Sequence, residues 1–210
     1  MSLADIRREY LGEPLSERES DADPFRQFAR WFEQVHSLEV DPTAMALATA
    51  TRDGRPSVRN VLLKEFDHRG FVFYTNYESR KARELAETGR ASLLFTWRSV
   101  ERQVRIDGAV EKVSDAEADA YFASRPVESR WGTYASQQSA VIESRAALEA
   151  RFDAARERYG QNVPRPSWWG GYRVVPDEFE FWQGRPNRLH DRLRYLREPN
   201  GSWRRDRLAP

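Results

Sequence analysis

The chain has 210 residues, enough for one domain with a substantial core, and 40% of them are hydrophobic, 12% aromatic and 32% charged. Its 34 cations and 33 anions leave a net charge of +1, so no overall field draws it to nucleic acid or to a membrane surface. The absence of cysteine excludes disulfides and thiolate sites, the histidines (His36, His68, His190) are too scattered for a metal motif, and with no apolar run of spanning length and no signal-peptide core the expected setting is the cytoplasm.

Residues 1–22 are charged and punctuated by Gly12 and Pro14, which predicts a mobile arm with one helical turn over residues 5–10, ahead of a single domain over residues 23–210. By composition alone Arg7-Arg8-Glu9-Tyr10 reads as a frayed terminus. Asp23-Pro24 opens a helix in the favoured cap-then-proline order, with Phe25, Phe28, Phe32, Val35 and Leu38 recurring on one face. A small-residue strand over residues 43–51 runs into an Asp53-Gly54 turn. Two runs rich in β-branched and aromatic residues follow, 58–66 and 71–75, separated by Asp67-His68-Arg69-Gly70, and predict a hairpin.

Ser79 is a good N-cap for the helix that follows, and Gly89 is its stop. That helix opens with Arg80 and Lys81, cations that oppose the macrodipole unless an anion sits there. Lysine is rare in the chain, only Lys64, Lys81 and Lys112, and two of the three fall within residues 59–85, the hairpin and the helix start after it, which suggests positions wanting a compact ammonium. An anion site and a solvated basic helix start both remain open at this point.

Strands over residues 91–97 and 103–113 come next, the second interrupted by Gly108 as a bulge. This many strands before a long helix argue for an antiparallel sheet closing into a barrel. Ser114-Asp115-Ala116-Glu117 is a capping box for a helix ended by Pro126. Tyr121, Arg125 and Ser129 are spaced four apart, and converge on one side if the helical path persists; they suit a phosphate, or equally a helix end with a solvated arginine. A helix over residues 144–159 buries Leu148, Phe152, Ala155 and Tyr159 and stops at Gly160, and a strand runs through to Trp182. Strands 192–197 and 203–208 flank the Asn200-Gly201 hairpin signal. The segment 188–210 carries seven arginines (Arg188, Arg192, Arg194, Arg197, Arg204, Arg205, Arg207) against Asp191, Glu198 and Asp206, enough to meet a phosphate.

A run of stretches in order carries a closer reading: Arg7-Arg8-Glu9-Tyr10, Asp41-Pro42-Thr43-Ala44-Met45, Val61-Leu62-Leu63-Lys64, Phe73-Tyr74-Thr75-Asn76, Ser79-Arg80-Lys81 and Glu101-Arg102-Gln103-Val104, then Ser124-Arg125-Pro126, Gln138-Ser139, Phe181-Trp182-Gln183-Gly184, Arg188-Leu189-His190-Asp191-Arg192 and Asp206-Arg207-Leu208-Ala209-Pro210. In these the chain resembles the pyridoxine/pyridoxamine 5'-phosphate oxidase family over nearly its whole length.

The resemblance implies an α+β fold, an antiparallel, Greek-key-like, FMN-binding split β-barrel with flanking helices, and an obligate homodimer holding FMN in clefts made by both subunits. Carried over by position, Arg59, Asn60, Val61, Leu62, Leu63, Lys64, Tyr74, Thr75, Arg80, Lys81, Gln103, Gln138, Ser139, Trp182 and Arg192 would hold FMN. The substrate, pyridoxamine or pyridoxine 5'-phosphate, would meet Lys64, Tyr121, Arg125 and Ser129 at its phosphate and Arg188, Leu189 and His190 near its ring, beneath a lid of Arg7, Arg8, Glu9 and Tyr10. The implied chemistry is transfer of a hydride from C4' to flavin N5, with oxygen reoxidising the flavin to give hydrogen peroxide, and ammonia when the substrate is the amine. Arg188 and His190 are the candidate catalytic residues, steering the ring.

Arg59 and Lys64 are five apart, so on a regular strand they face opposite ways; a bulge, or ligands on both faces, would reconcile them. Arg130-Trp131-Gly132-Thr133 stands where the family commonly has Gln-Ile-Gly-Ala, and Gly12-Glu13-Pro14 where paired glycines are usual. Two rival readings are a related flavoenzyme of the phenazine-pathway type, and a flavin or pyridoxal-phosphate carrier without turnover.

Overall fold

The computed structural model describes residues 2–5 and 9–210. Helix α1 (Pro24–Val35) starts where Asp23 accepts the Phe25 N–H, with proline at its first position. Strand β1 (Ala44–Ala50) pairs with β2 (Pro56–Leu62) across the Asp53-Gly54 turn. Short β3 (Glu65–Asp67) forms the hairpin with β4 (Gly70–Asn76). Helix α2 (Arg80–Thr88) is capped by Ser79 and closed by Gly89 at φ 66°. Strands β5 (Arg90–Trp97) and β6 (Arg102–Lys112) lead to helices α3 (Asp115–Ser124), α4 (Val127–Ala135) and α5 (Arg145–Tyr159). The long β7 (Trp169–Gln183) and the hairpin of β8 (Asp191–Arg197) and β9 (Trp203–Arg207) complete the chain.

Every strand pairing is antiparallel, in the order β2-β1-β5-β6-β7-β4-β3. One edge of β7 carries β6 along its length; the other carries β4 over residues 169–174 and β8 over 178–183. The sheet therefore divides at the middle of β7, where Pro176 removes a donor and the register with β6 slips at Asp107/Gly108. Gly108 is required there: a Cβ would lie 2.1 Å from the Val175 carbonyl oxygen.

Helix α1 plugs the curled sheet. Phe28, fully buried, sits within 4.8–5.8 Å of the rings of Phe66, Phe71, Phe95 and Trp97, while Trp31 meets Phe181 edge-on at 5.2 Å. Each such side chain contributes roughly 1.5–3 kcal/mol through burial, and the close ring pairs fix the helix orientation. A second cluster, Phe122, Trp131, Ala155, Val163 and Trp169, holds α3, α4 and α5 to the start of β7.

Four sequence expectations are corrected. Residues 58–66 are not one strand of a hairpin: the chain crosses between sheet regions at Leu63, whose N–H bonds to Thr43, while the Lys64 N–H bonds to Val72. Leu38 lies beyond the end of α1 and is 59% exposed, because the helical period stops at Val35. The helix carrying Tyr121 does not persist to Ser129: Arg125 is extended (φ -71°, ψ 147°) and Pro126 stands at the start of a separate helix, α4. Of the helical turn expected over residues 5–10, residues 6–8 lie outside the described residues; among those described, Asp5 ends the 3-10 turn Leu3–Asp5 and Glu9 and Tyr10 are not helical.

Residues 11–21, assigned to the arm by sequence, are tied to the domain. Leu15 is buried, its N–H bonds to Asp191, and the carbonyls of Gly12, Leu15 and Ser20 accept from Arg185, Arg207 and Arg205. Arg207 also grips Glu17 through two bonds of 2.8 Å, and that hydrogen bonding holds the Glu17 carboxyl down at about 2.

Candidate active site

A cleft of about 560 Å³ opens between β2, β4, the start of α2 and the α3–α4 corner. It gathers Arg59, Asn60, Val61, Leu62, Lys64, Tyr74, Thr75, Lys81, Tyr121, Arg125, Ser129 and Gln138 from the sequence-derived site residues. Arg59 and Lys64 both reach it because the strand ends between them, and their five-residue spacing is no obstacle once the chain has crossed over. Leu63, also among the sequence-derived residues, is buried in the core and does not line the cleft.

At the α2 end the central feature is the Lys81 ammonium. It is 8% exposed, and its Nζ donates to Gln138 Oε1 (2.8 Å), Thr75 Oγ1 (3.1 Å) and Ser79 Oγ (3.3 Å), all neutral oxygens. Among the described residues no carboxylate pairs with it. Burial, with nearby Arg59 adding to the effect, lowers it to about 8, the response of a cation short of an anion. Beside it the Arg80 N–H bonds to Ser139 Oγ (3.2 Å), placing Ser139, at φ 74°, against the helix start.

Glu84, one turn into α2 and 2% exposed, organises the arginines. Its carboxylate accepts from Arg80 Nε (2.8 Å), Thr49 and Ser57, and lies 3.4 Å from Arg59 Nη2. Burial alone would push this carboxyl up, but the hydrogen bonds from Ser57, Thr49 and Arg80 outweigh it and bring it down to about 2. Arg59 is further fixed by the Leu47 carbonyl (3.0 Å) and Thr49 hydroxyl (2.6 Å).

At the α3–α4 corner Tyr74 stacks on Tyr121 with centroids 3.9 Å apart, and Trp169 lies parallel to both. Burial pushes the Tyr74 hydroxyl up to about 12, so it stays protonated. Arg125 lies over Trp169 at 4.7 Å, donating to Thr133 Oγ1 (2.8 Å) and the Ser129 carbonyl (3.0 Å), with no carboxylate partner among the described residues. The spacing that was to align Tyr121, Arg125 and Ser129 on one helix is replaced by a break at Arg125 and Pro126, and all three still line the cleft.

The remaining sequence-derived residues form a second group. Gln103, Trp182 and Arg192 stand opposite one another on β6, β7 and β8, and Gln103 and Trp182 line a cleft of about 460 Å³ with Tyr10. Trp182, Tyr10 and His190 cluster, His190 lying 4.7 Å from Trp182 and 5.3 Å from Tyr10. The His190 Nδ1 accepts the Arg185 N–H (3.1 Å), a bond that calls for the proton on Nε2, and burial, aided by Arg188, lowers its pKa. Arg188 and Leu189 are exposed, and Asn187 and Arg188 both hold positive φ, 56° and 62°, a strained corner of the kind found at functional sites. Arg192 is engaged by Glu180 at 2.7 Å. Glu9 is exposed. The two clefts share no lining residue within one chain.

Residues 17–178 match the family described as pyridoxamine 5'-phosphate oxidase. The chain belongs to this family. Residues 169–210 match the pyridoxine 5'-phosphate oxidase C-terminal dimerisation region. Two relatives named pyridoxine/pyridoxamine 5'-phosphate oxidase, from Bordetella petrii and Trichormus variabilis, are 57% and 56% identical over 211 residues, covering 100% of this chain and 100% and 99% of theirs. The crystal structure of PhzG from Burkholderia lata 383, in complex with tetrahydrophenazine-1-carboxylic acid, is 38% identical with TM-score 0.88, covering 95% of this chain and 99% of that one. An FMN-binding protein from Nostoc punctiforme related to pyridoxamine 5'-phosphate oxidase, 17% identical with TM-score 0.71 over 90% of this chain and 98% of that one, shares the fold. The curled sheet is thus the split barrel of this oxidase family.

The cofactor of the family is FMN, and the residues here fit it. The buried Lys81 ammonium with only neutral partners, beside Arg59 at the start of α2, is a donor set for a phosphate dianion. Sequence reasoning missed Glu84, Thr133 and Trp169. Glu84 was hidden as an ordinary helix residue, although its place four positions after Arg80 was a legible signal.

Proposed function

We propose that this oxidase converts pyridoxamine 5'-phosphate and pyridoxine 5'-phosphate to pyridoxal 5'-phosphate in the cytoplasm, using molecular oxygen and releasing hydrogen peroxide, and ammonia from the amine. The observation that carries it is a cleft with two cationic grips that share no partner: Lys81 for the phosphate of FMN, and Arg125 with Tyr121 and Ser129 for a second phosphate. Bound FMN supplies the chemistry, accepting a hydride from the substrate C4' and passing the electrons to oxygen. The chain's part is placement: Arg59, Thr75, Arg80, Gln138 and Ser139 act with Lys81 on the cofactor, Asn60, Val61, Leu62 and Tyr74 flank it, and Lys64 reaches the substrate phosphate.

The group around Trp182 completes the site from a second copy of the chain. Trp182, Arg188, His190 and Arg192 fall inside the matched dimerisation region, and Trp182 lines a cleft separate from the first, which supports a homodimer with two composite sites. There Gln103, Trp182 and Arg192 meet the flavin, while Arg188, Leu189 and His190, the last donating through Nε2, orient the substrate ring. Tyr10, which packs edge-on against Trp182 and His190, supports a lid over it, to which Arg7, Arg8 and Glu9 would belong. Light scattering of the FMN-loaded protein at micromolar concentration is expected to find a dimer, and a loaded monomer would refute the composite site.

The likeness to PhzG favours a second reading, oxidation of a reduced phenazine carboxylate. It leaves the Arg125 grip without a phosphate. Adding pyridoxamine 5'-phosphate to the yellow protein without oxygen separates the two, with bleaching of the flavin band expected. Bleaching by the phenazine compound alone would move the assignment.

A further inference from the structure

We propose that Thr133 is a positioning residue for the substrate phosphate, holding Arg125 in the pose that binds it; this rests on the phosphate reading of the Arg125 site above. Thr133 is 8% exposed and lines the cleft. Its hydroxyl accepts from Arg125 Nη1 at 2.8 Å and donates to the Ser129 carbonyl at 3.1 Å, and that same carbonyl accepts from Arg125 Nη2 at 3.0 Å. One hydroxyl therefore closes a ring that ties both terminal nitrogens of the guanidinium while its face rests on Trp169.

Of the five N–H donors of a guanidinium, two are used in this ring and the rest are left for an anion. Arginine side chains carry large rotamer entropy, and fixing one before the ligand arrives transfers that cost to folding and keeps it out of binding. Thr133 has this role because it is one turn of α4 beyond Ser129, so its hydroxyl reaches the i−4 carbonyl that Arg125 also uses. It lies in the stretch Arg130-Trp131-Gly132-Thr133 singled out in the sequence, whose Trp131 instead packs away from the cleft, with Nε1 on the Gly160 carbonyl at 2.8 Å.

The test compares Thr133→Val, of similar shape but without the hydroxyl, with Thr133→Ser, which keeps it, in the full-length FMN-loaded protein. Pyridoxal 5'-phosphate and phosphate-free pyridoxal are titrated in turn and followed by flavin absorbance. Thr133→Val is expected to raise the Kd for pyridoxal 5'-phosphate by about three- to tenfold and leave that for pyridoxal unmoved, with the KM for pyridoxamine 5'-phosphate rising in parallel. Thr133→Ser is expected to restore wild-type values. Wild-type affinity in the valine variant, equal weakening toward both ligands, or a serine variant as weak as the valine one overturns the role of Thr133. If the unmutated protein does not distinguish the two ligands, the phosphate reading falls first and this proposal with it.

Discussion

Replacing Lys81 with alanine is expected to weaken FMN binding by about ten- to a hundredfold, the roughly 1.5–3 kcal/mol of a charge-assisted hydrogen bond lost from a buried site. The ammonium is held by three neutral oxygens and no carboxylate, so its full charge is available to the phosphate. Burial, and then Arg59, lowers it from 10.5 to about 8 in the protein without cofactor. A lysine lowered in this way costs folding stability fully below pH 8, a cost that fades as pH rises toward 10.5. A bound phosphate dianion reverses the shift, so FMN binding takes up a proton above pH 8. Affinity should be level between the second phosphate ionisation near pH ~6 and pH 8, then fall by up to about tenfold per pH unit. Fluorescence titration of apoprotein with FMN measures both effects. A Lys81→Ala variant that kept wild-type affinity, or the same decline above pH 8, would show that the ammonium does not face the cofactor phosphate.

Arg125→Ala is expected to do the opposite, leaving FMN in place while raising the KM for pyridoxamine 5'-phosphate by about ten- to a hundredfold. Among the described residues its guanidinium bonds to Thr133 and the Ser129 carbonyl and rests on aromatic faces, so removing it strands no buried carboxylate there, and the loss reports on the ligand. Burial lowers the Arg125 pKa, yet arginine remains charged throughout the working range. Steady-state kinetics beside FMN dissociation constants separate the two variants. Flavin lost from Arg125→Ala and kept by Lys81→Ala would mean that the two grips are assigned the wrong way round.

Much of this was legible in the chain because it depends on neighbours in sequence. The caps at Asp23, Ser79 and Ser114 satisfy backbone N–H groups two or three residues away, and the structure has all three. The stop at Gly89 and the Asn200-Gly201 hairpin are likewise local, set by what the backbone conformation permits, whereas the bulge at Gly108 was legible from the glycine although its cause is the distant Val175 carbonyl. The cations at the start of α2 were visible as an anomaly against the helix dipole, and the family motifs supplied an ordered set of site residues.

Tertiary structure decided what distant segments do to one another. Periodicity cannot distinguish one strand from two that meet end to end, so the crossing at Leu63, which lets Arg59 and Lys64 share a cleft, depends on partners at Thr43 and Val72. The turn at Arg125 and Pro126 was readable only as a helix end. That α4 then places Ser129 and Thr133 against Arg125 depends on Trp131 and Phe152 packing α4 on α5. Glu84 acquires its role only when β1 and β2 bring Thr49, Ser57 and Arg59 to it, because a buried carboxylate is stable only where enough donors converge to outweigh its desolvation.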